Sequence, residues 1–528
     1  MNRSFPAGLP LAAALLLIIL ALGACSSLRL NTGGIGDDDA AIAHHAPADQ
    51  HNADGLPGSA GGVKLKMLLI GDKPADYEEV FEALNELLQE RINTTVEAEF
   101  LDWSDWARQY PLKFAAQERF DIVYTADWAF YYDQALRGSF LELTDELIAR
   151  YAPHIWEAMP KVAWEQARVD GKLYMIPNNN REIVDKAVII RDDLRKKYGL
   201  DPVDSPETFA AYVKTIGAFE TNMSAYGAKP ADGWRWHELD QILLEQRNEW
   251  NLVDYSMPFA YKLDDPQGQV FNVYDTPEFR ELIAYYKDLA DHNGWSKNII
   301  NYRNDVWQDM LAGKTGSYAH NLGTLAANLT EMRRSKPEFE GAIADLTPDK
   351  KKLAAISTQN GLAIHAASQH VERAMQFIDL LHHDKQIHDL AMYGIAGKHY
   401  MPVEDDKMLS GPYAAHYTGF SVWGWNSPLN RVDAAYPQEA ADMHDRWLKQ
   451  IYAYPLETFA FNDAAVKSEV ANVGNVMIRY AIPLEYGLID DLDKGHAELL
   501  HQLRAAGIER IRQELQSQID AFLTRTRG

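Results

Sequence analysis

Cys25 is the only cysteine, and therefore the only thiol, in the chain of 528 residues. A lone cysteine forms no intramolecular disulfide, and it cannot build the thiolate clusters that bind zinc or iron–sulfur centres. Its role must therefore follow from its neighbours. They are an early positive charge at Arg3, an apolar run over residues 9–22, and the small residues Gly23 and Ala24.

Other motifs contain residue types that could form a phosphate-binding, metal or catalytic site, but their spacing excludes such a site. The stretch "AGKTGS" contains Gly-Lys-Thr, but a phosphate-binding loop needs a glycine five residues before Gly313, where this chain has Gln308. His383 and His388 are five residues apart, which does not place them on one helical face, so a solvated helix end is favoured over a metal site. HExxH and GxSxG motifs are absent from the sequence. The sequence therefore predicts no catalytic residue, no metal and no cofactor.

The segment before Cys25 is typical of a secretory leader. Its end, Leu-Gly-Ala-Cys, resembles the lipobox of bacterial lipoproteins, in which the leader is removed and the cysteine is acylated. The resemblance implies a signal peptide over residues 1–24 and a diacylglyceryl anchor with palmitate-type chains on Cys25. Two acyl chains hold a protein on a membrane durably. The remaining alternative is an ordinary signal peptide that happens to contain a cysteine.

Residues 26–62 are rich in Gly, Asp, Ala and Ser and have few large apolar side chains, so we expect a flexible spacer. His44, His45 and His51 lie in it and offer weak metal ligands, but a solvated linker is favoured because nothing orients them.

The remainder of the chain has the composition of a globular protein. The sequence is 47% hydrophobic and 11% aromatic, enough to bury the cores of two domains. The formal net charge of −25 repels nucleic acid and anionic lipid headgroups, so neither is an expected partner.

Apolar patterning after the spacer predicts alternating strands and helices. Residues 63–72 and 120–128 are apolar strands, and residues 76–92 carry apolar side chains at helical spacing between them. This order is typical of a parallel sheet covered by helices, an α/β fold. Because ligands in such sheets lie beyond the carboxyl ends of the strands, Asp127 and Trp128 are in a favourable place.

The order of these segments resembles the extracellular solute-binding proteins of ABC importers, in the carbohydrate-type family that includes maltose-binding protein. "FDIVYTADW" is similar to that family's third strand, and "DGKLYMIPNNN" is similar to the segment leading into its first crossing between lobes. "VWQDMLAGKTGSYAHNLGT" and "NGLAIHAASQHVERAMQFIDLLHHDKQ" resemble later segments in the same order. Ser205 is the expected N-cap of the helix that starts at Pro206.

The C-terminal stretches "YGIAGKHY" and "FAFNDAAVKSEVANV" resemble the LipO-type lipoproteins, which carry a C-terminal domain of unknown function. The two resemblances together imply a division of the chain into six parts. These are a signal peptide (1–24), the lipidated cysteine and linker (25–62), the first part of lobe 1 (63–180), the first part of lobe 2 (181–357), the return to lobe 1 (358–400) and a C-terminal helical region of LipO-like type packing on the lobes (401–528).

The resemblance implies a two-lobe α/β fold of the periplasmic-binding-protein type II, with a hinge and an inter-lobe cleft. The implied function is capture of a carbohydrate, with an oligosaccharide preferred, and its delivery to the permease subunits of an ABC importer. Ligand contacts made by both lobes favour the closed state. The chain would act as a monomer on the extracytoplasmic face of a bacterial membrane, without catalysis.

A sugar presents apolar C–H faces and a rim of hydroxyls, so such a site needs aromatic rings beside planar hydrogen-bonding groups. The chain has 13 tryptophans, several of them beside such groups. The candidate ligand-binding residues are Asp127, Trp128, Asn178, Asn179, Trp234, Arg235, Trp236, Asn321, Trp423 and Trp425. Alanine at Trp234 or Trp236 is expected to weaken binding without unfolding the protein. For any single tryptophan, core packing is an equal alternative, and Trp103 and Trp106 are assigned to packing first.

Two other functions remain open from the sequence. Carboxylates and tryptophans beside sugar are also used by glycosidases, so a cell-surface carbohydrate-active enzyme is one alternative. A ligand-binding sensor or adhesin without an importer is the other. Sugar release by the purified protein would favour the enzyme.

Overall fold

The computed structural model describes residues 62–178, 183–228, 236, 238–253, 257–302, 305–353, 356–404 and 406–527. Apolar side chains in this part of the chain form two buried cores. The core of the first lobe draws on residues 65–176 and 362–425, and that of the second lobe on residues 183–346 and 440–523. The chain therefore passes between the two cores after Ile176, after Leu346 and after Trp425.

The first lobe is built on a five-stranded sheet in the order β2-β1-β3-β14-β6. Its strands are β1 (Val63–Ile70), β2 (Thr94–Leu101), β3 (Ile122–Thr125), β6 (Met175–Pro177) and β14 (Gly361–Ile364). The first three are parallel, with Val63 opposite Thr94 and Met67 opposite Ile122. Strand β14 returns antiparallel between β3 and β6. The parallel strands thus end at one edge, as the sequence predicts.

Helices cover this sheet, and their apolar side chains recur every three to four residues, so one face of each helix can be buried against the strands. They are α1 (Tyr77–Ile92), α2 (Trp106–Ala115), α3 (Tyr131–Leu136), α4 (Asp145–Tyr151), α5 (Pro153–Ala158), α6 (Lys161–Gln166), α13 (Val371–His383) and α14 (Lys385–Tyr393). Helix α1 buries Val80, Leu84 and Leu88 at spacings of four and ends at Asn93 in the left-handed region, with φ 49°. The short strands β4 (Arg168–Val169) and β5 (Lys172–Leu173) pair with each other.

The second lobe contains two three-stranded antiparallel sheets. One has the order β11-β7-β12, from β7 (Lys186–Arg191), β11 (Ser317–Asn321) and β12 (Gly341–Ala344); the other joins β8 (Trp250–Leu252), β9 (Phe259–Lys262) and β10 (Phe271–Asn272). The helices are α7 (Asp192–Lys197), α8 (Pro206–Phe219), α9 (Glu238–Asp240), α10 (Pro277–Asp291), α11 (Val306–Leu311) and α12 (Leu322–Ser335). A π-helical segment, Gln241–Gln246, follows α9. The predicted cap at Ser205 is confirmed, since its hydroxyl accepts from the N–H of Thr208 in a capping box.

The C-terminal region packs mainly on the second lobe. It contains α15 (Gln438–Leu448), α16 (Lys467–Val476), α17 (Ile482–Glu485), α18 (Leu492–Ala505) and α19 (Ile508–Arg527). Strand β13 (Lys352–Leu353) pairs with β18 (Ile451–Tyr452), and β15 (Tyr400–Glu404), β16 (Lys407–Ser410) and β17 (Val432–Asp433) form a small separate sheet. The indole N–H of Trp295 donates to the carbonyl of Tyr486 at 3.1 Å, which ties this region to α10 and the turn after it.

One packing feature differs from the predicted division at residue 400. Tyr417, Phe420 and Trp425 are buried in the core of the first lobe, whereas Ala440 and later residues enter the core of the second. By packing, the return to the first lobe therefore continues to Trp425.

Within the described ranges, no helix combines the length and the apolar character needed to cross a bilayer.

Candidate ligand-binding site

Three tryptophans lie side by side where the strands of the first sheet end. Trp103 follows β2, Trp128 follows β3, and Trp423 lies in the 3-10 turn Val422–Trp425 beside β14. The ring centroid of Trp103 is 6.4 Å from the ring centroid of Trp128, and the two ring planes are 27° apart. It is 6.0 Å from the ring centroid of Trp423, with an interplanar angle of 25°. All three rings are half-buried. We call these three residues the tryptophan row.

Hydrogen bonds hold each ring of the row in place. The indole N–H of Trp103 donates to the carbonyl of Gly419 at 2.7 Å, and that of Trp128 donates to the carbonyl of Gln359 at 2.8 Å. The indole N–H of Trp423 donates to the hydroxyl of Tyr124 at 2.7 Å. Trp106 is buried and meets the rings of Trp103 and Trp128 edge-on. Because the N–H groups are used within the protein, the row offers ring surface to a ligand.

Two glycines allow the segment that carries Trp423 to lie so close to the sheet. Gly71 has φ +123° at the end of β1, and a Cβ there would come within 2.4 Å of the backbone at Phe420. A Cβ on Gly424 would meet the ring of Tyr124 at 2.7 Å. Only glycine, which has no Cβ, can occupy positions 71 and 424, and the two close contacts hold Trp423 in the row.

Exposed carboxylates surround the row. Asp72, Asp102 and Asp127 follow β1, β2 and β3 in turn, and Asp305 caps α11 in the second lobe by accepting from backbone N–H groups. Partial burial raises the pKa of Asp72, and the negative charges of Asp102 and Asp305 raise it further. Asp305 of the second lobe therefore lies near enough to act electrostatically on Asp72 at the rim of the first lobe.

The second lobe adds aromatic and polar groups on the elements next to Asp305. The indole N–H of Trp307 donates to the Glu331 carboxylate at 2.8 Å. His320, at the end of β11, lies 3.9 Å from Glu238, and desolvation lowers the pKa of this histidine. A neutral imidazole is both a donor and an acceptor, which suits a ligand with hydroxyl groups.

Where the chain crosses between the lobes, Gln166 joins them. Its side-chain N–H donates to Glu457 of the C-terminal region at 2.6 Å, and its oxygen accepts from the N–H of Ser357 at 2.9 Å. Burial raises the pKa of Glu457. The neighbouring Tyr454 interacts electrostatically with Asp127 of the first lobe, although desolvation is the main reason that its pKa is raised. The C-terminal region therefore reaches the same area as the tryptophan row.

Two of the predicted tryptophans are buried, which corrects their assignment as ligand platforms. Trp236 is 1% exposed in the second core, where its N–H donates to the carbonyl of Met257 and its ring packs on Tyr274. Trp425 is 2% exposed in the first core. Neither ring has a free face. Alanine at Trp236 would therefore open a cavity in the core, contrary to the expectation that the fold stays intact.

The predicted asparagines that the structure describes have backbone-related roles. Asn178 is buried where the chain crosses between the lobes. Its backbone N–H donates to the backbone carbonyls of Ser357, at 3.1 Å, and Asn360, at 3.0 Å. Asn321 is the N-cap of α12, with its side-chain oxygen accepting from Thr324 at 2.8 Å. Four further predicted residues lie outside the described residues, namely Cys25, Asn179, Trp234 and Arg235.

Of the predicted set, the structure brings together Asp127, Trp128 and Trp423. Sequence reasoning ranked Trp103 as a packing residue first and a ligand contact second, and it missed Asp72, although both follow strands of the parallel sheet just as Asp127 does. It also missed Gln166 and Glu457, for which the sequence carries no signal, since their contact joins residues 291 positions apart.

The chain matches the profile of the bacterial extracellular solute-binding proteins over residues 72–386 and that of a domain of unknown function, DUF3502, over residues 455–524. A carbohydrate ABC transporter substrate-binding protein of Streptococcus pneumoniae serotype 4 is 23% identical over 477 residues, which is 87% of this chain and 91% of that protein.

Solved structures of solute-binding proteins share the fold. The N-glycan transport solute-binding protein of Streptococcus pneumoniae has a TM-score of 0.72 at 20% identity, with 88% of this chain and 100% of that chain covered. An extracellular solute-binding protein of Bifidobacterium longum subsp. infantis has a TM-score of 0.64 at 14% identity, with 89% and 100% covered. Since the first profile spans more than half of the sequence, the chain belongs to the bacterial extracellular solute-binding protein family and has its two-lobe type II fold.

Proposed function

We propose that this protein captures an oligosaccharide between its two lobes and delivers it to the permease of an ABC importer. The observation that carries the proposal is the tryptophan row at the carboxyl ends of the first sheet, flanked by carboxylates from both lobes. The tryptophan rings would stack on the C–H faces of the sugar units, and the carboxylates would accept hydrogen bonds from the sugar hydroxyls. A row of three rings suits a chain of sugars better than a single ring.

The relatives support a carbohydrate ligand. The similar pneumococcal protein is a carbohydrate ABC transporter substrate-binding protein, and the N-glycan transport protein has been crystallised in complex with Man5GlcNAc, at 21% identity to this chain and a TM-score of 0.69. An N-glycan fragment or a similar oligosaccharide is therefore the first ligand class to test.

Binding would work by a shift between open and closed states. A ligand that touches Trp128 on one lobe and the Asp305 side of the other gains contacts only when the lobes close, so it stabilises the closed state. The permease would then recognise that shape. Catalysis has no part in this sequence of events.

We also propose that Cys25 carries the lipid that holds the protein, as a monomer, at the extracytoplasmic face of the membrane after removal of residues 1–24. In this scheme residues 26–62 are the spacer. The lobe boundaries at 180 and 357 are retained, and the return to the first lobe is extended from 400 to Trp425 because the core of that lobe continues there.

The test is calorimetric titration of residues 26–528, which contain the whole compact unit from Ala60 on, with Man5GlcNAc and a panel of other oligosaccharides. We expect W103A and W128A to weaken the binding of the preferred sugar by about 1–3 kcal/mol per lost stacking contact. W156A is the matched control, because Trp156 is a half-buried tryptophan of the same lobe that packs on Trp164.

Equal affinity for W103A, W128A and W156A would remove the tryptophan row from the site. Release of shorter sugars during the titration, detected by mass spectrometry, would replace the transport proposal with the enzyme alternative, because the same carboxylates suit glycoside hydrolysis. Binding of a non-carbohydrate solute alone would retain the fold-level function and overturn the ligand class.

A further inference from the structure

A short segment at the start of the domain of unknown function, residues 454–457, lies where the two lobes meet. Leu456 is 5% exposed in the core of the second lobe, and this burial anchors the segment there. Tyr454 and Glu457, on either side of that anchor, remain half-buried. Their side chains are therefore held in place while part of their surface still reaches solvent.

One turn connects this segment to the tryptophan row. The first N–H of the turn Ser357–Gln359 donates to the side chain of Gln166, which itself donates to Oε1 of Glu457 at 2.6 Å. Carbonyls of the same turn accept from the backbone N–H of Asp127 and from the indole N–H of Trp128, each at 2.8 Å. The turn thus holds both Glu457 and the Trp128 end of the row.

Two tyrosines indicate that the space between the segment and the row is a recess. Tyr132 of α3 and Tyr454 are both half-buried, yet desolvation is the main reason that the pKa of each is raised. A group that is desolvated by surrounding protein while part of its surface stays open to solvent lies in a recess. The charges of Asp127 and Glu457 act on both tyrosines, so these four side chains lie around the same space.

The recess has hydrogen-bonding capacity to spare. The hydroxyl of Tyr132 lies 3.3 Å from Oγ1 of Thr358, and Oε1 of Glu457 accepts from Gln166. In the part of the chain that the structure describes, no hydrogen bond uses the Tyr454 hydroxyl or Oε2 of Glu457. Half-buried polar groups gain most from a partner that bonds to them, and the hydroxyls of a sugar can both donate and accept.

We propose that Tyr454 and Glu457 bind hydroxyl groups of the oligosaccharide, so that the domain of unknown function and the residue before it form one wall of the ligand site. The inference rests on the proposed function of that site. Trp128 stacks on the C–H face of one sugar unit, while the Tyr454 hydroxyl and Oε2 of Glu457 bond to hydroxyls of the unit in the recess. The C-terminal region then selects the ligand as well as stabilising the second lobe.

The experiment is calorimetric titration of residues 26–528 and of their Y454F and E457Q variants with Man5GlcNAc, or with the oligosaccharide of the panel that the parent prefers. Y454F removes only the hydroxyl. E457Q keeps an oxygen for the N–H of Gln166 but replaces the second acceptor by an amide nitrogen, which cannot accept. We expect each variant to bind about 3- to 10-fold more weakly, as for the loss of one hydrogen bond.

The matched controls are Y480F and E498Q. Tyr480 is half-buried and Glu498 is exposed, and both lie on helical elements of the C-terminal region that follow the segment. Both controls should bind like the parent. The melting temperatures of Y454F and E457Q without ligand should equal that of the parent, because a residue with a purely structural role would lower the melting temperature.

The titrations separate this inference from the proposed function. If Y454F and E457Q bind like the parent while W128A binds more weakly, the inference is overturned and the proposed function stands. A parent that binds no oligosaccharide overturns both. Weaker binding by Y454F and E457Q at unchanged melting temperature supports both.

Discussion

At the scale of single residues, buried carboxylates of the second lobe control how stability depends on pH. Burial raises the pKa of Glu245 to about 8 and that of Asp185 to about 7. A side-chain oxygen of Glu245 accepts from the N–H of Leu252 at 3.0 Å, and this bond lowers the pKa by less than burial raises it. Both groups therefore keep their protons in the folded protein at pH values where the unfolded chain has lost them.

The sign of the pH effect follows from this difference. Between about pH 4.5, where an ordinary glutamate titrates, and about pH 8, the Glu245 site binds more protons in the folded state than in the unfolded state, so its contribution to stability falls as pH rises. We expect E245Q to be more stable than the parent at about pH 8 by a few kcal/mol and to lack the part of the pH dependence that Glu245 contributes.

Urea unfolding at about pH 5 and about pH 8 measures the change, with E281Q at an exposed glutamate of α10 as the control. Glutamine keeps an oxygen for the N–H of Leu252, so packing and the backbone bond are preserved. A pH dependence identical in E245Q and the parent would mean that Glu245 is ionised in the folded protein.

Single residues also show what the sequence can and cannot predict about the site. The sequence predicts that Asp127 and Trp128 lie at the site because a strand end can be recognised from local pattern, and the same rule applies to Trp103. Trp236 has equally suggestive neighbours in the sequence, yet Met257 and Tyr274 surround it in the core. Those contacts are set by tertiary packing, which local pattern does not carry.

At the scale of elements, the C-terminal helices stabilise the second lobe. Helix α19 repeats buried apolar side chains at spacings of three and four, including Ile511, Leu515 and Ile519, all of them in the second core. The side chain of Gln516 accepts from the backbone N–H of Val270 at 2.9 Å, which fixes this helix beside the β10 strand. The domain of unknown function is thus part of the lobe by packing.

A core substitution tests that packing. L515A removes a fully buried side chain and should lower the free energy of unfolding by about 2–5 kcal/mol, through lost apolar burial and the cavity left behind. I478A is the control, since Ile478 belongs to the same region but is 65% exposed, and it should change stability by less than about 0.5 kcal/mol. Urea unfolding followed by circular dichroism gives both values. A cost for L515A as small as that for I478A would mean that α19 is dispensable for the lobe.

Elements differ in how far the sequence predicts them. Helix α1 and the cap at Ser205 follow from periodicity and from a local hydrogen bond, so the sequence is sufficient. The insertion of β14 between β3 and β6 depends on pairing across more than 180 residues, as between Gly361 and Pro177. Resemblance to a family supplied that step, because no local property of β14 specifies its partners.

At the scale of the whole molecule, like charges oppose closure of the site. The chain carries a formal charge of −25, and Asp305 of the second lobe acts on Asp72 of the first. Moving the lobes together brings such carboxylates closer and costs free energy, which the ligand must supply. In the proposed mechanism this repulsion opposes closure of the free protein, and added salt should weaken it.

D305N isolates that contribution, because asparagine caps a helix as well as aspartate does. Removing one charge of a partly exposed pair changes the free energy by about 0.2–1 kcal/mol, so the apparent affinity for the preferred oligosaccharide should rise by up to about fivefold. Added salt should shrink the difference from the parent, since screening weakens the same repulsion. D442N, at an exposed aspartate of α15, should leave affinity unchanged. Asparagine keeps an acceptor oxygen for a ligand hydroxyl, so weaker binding by D305N would mean that the negative charge of Asp305 strengthens the contact with the ligand by more than the repulsion costs. A gain in affinity that persists at high salt would mean that the gain does not come from charge.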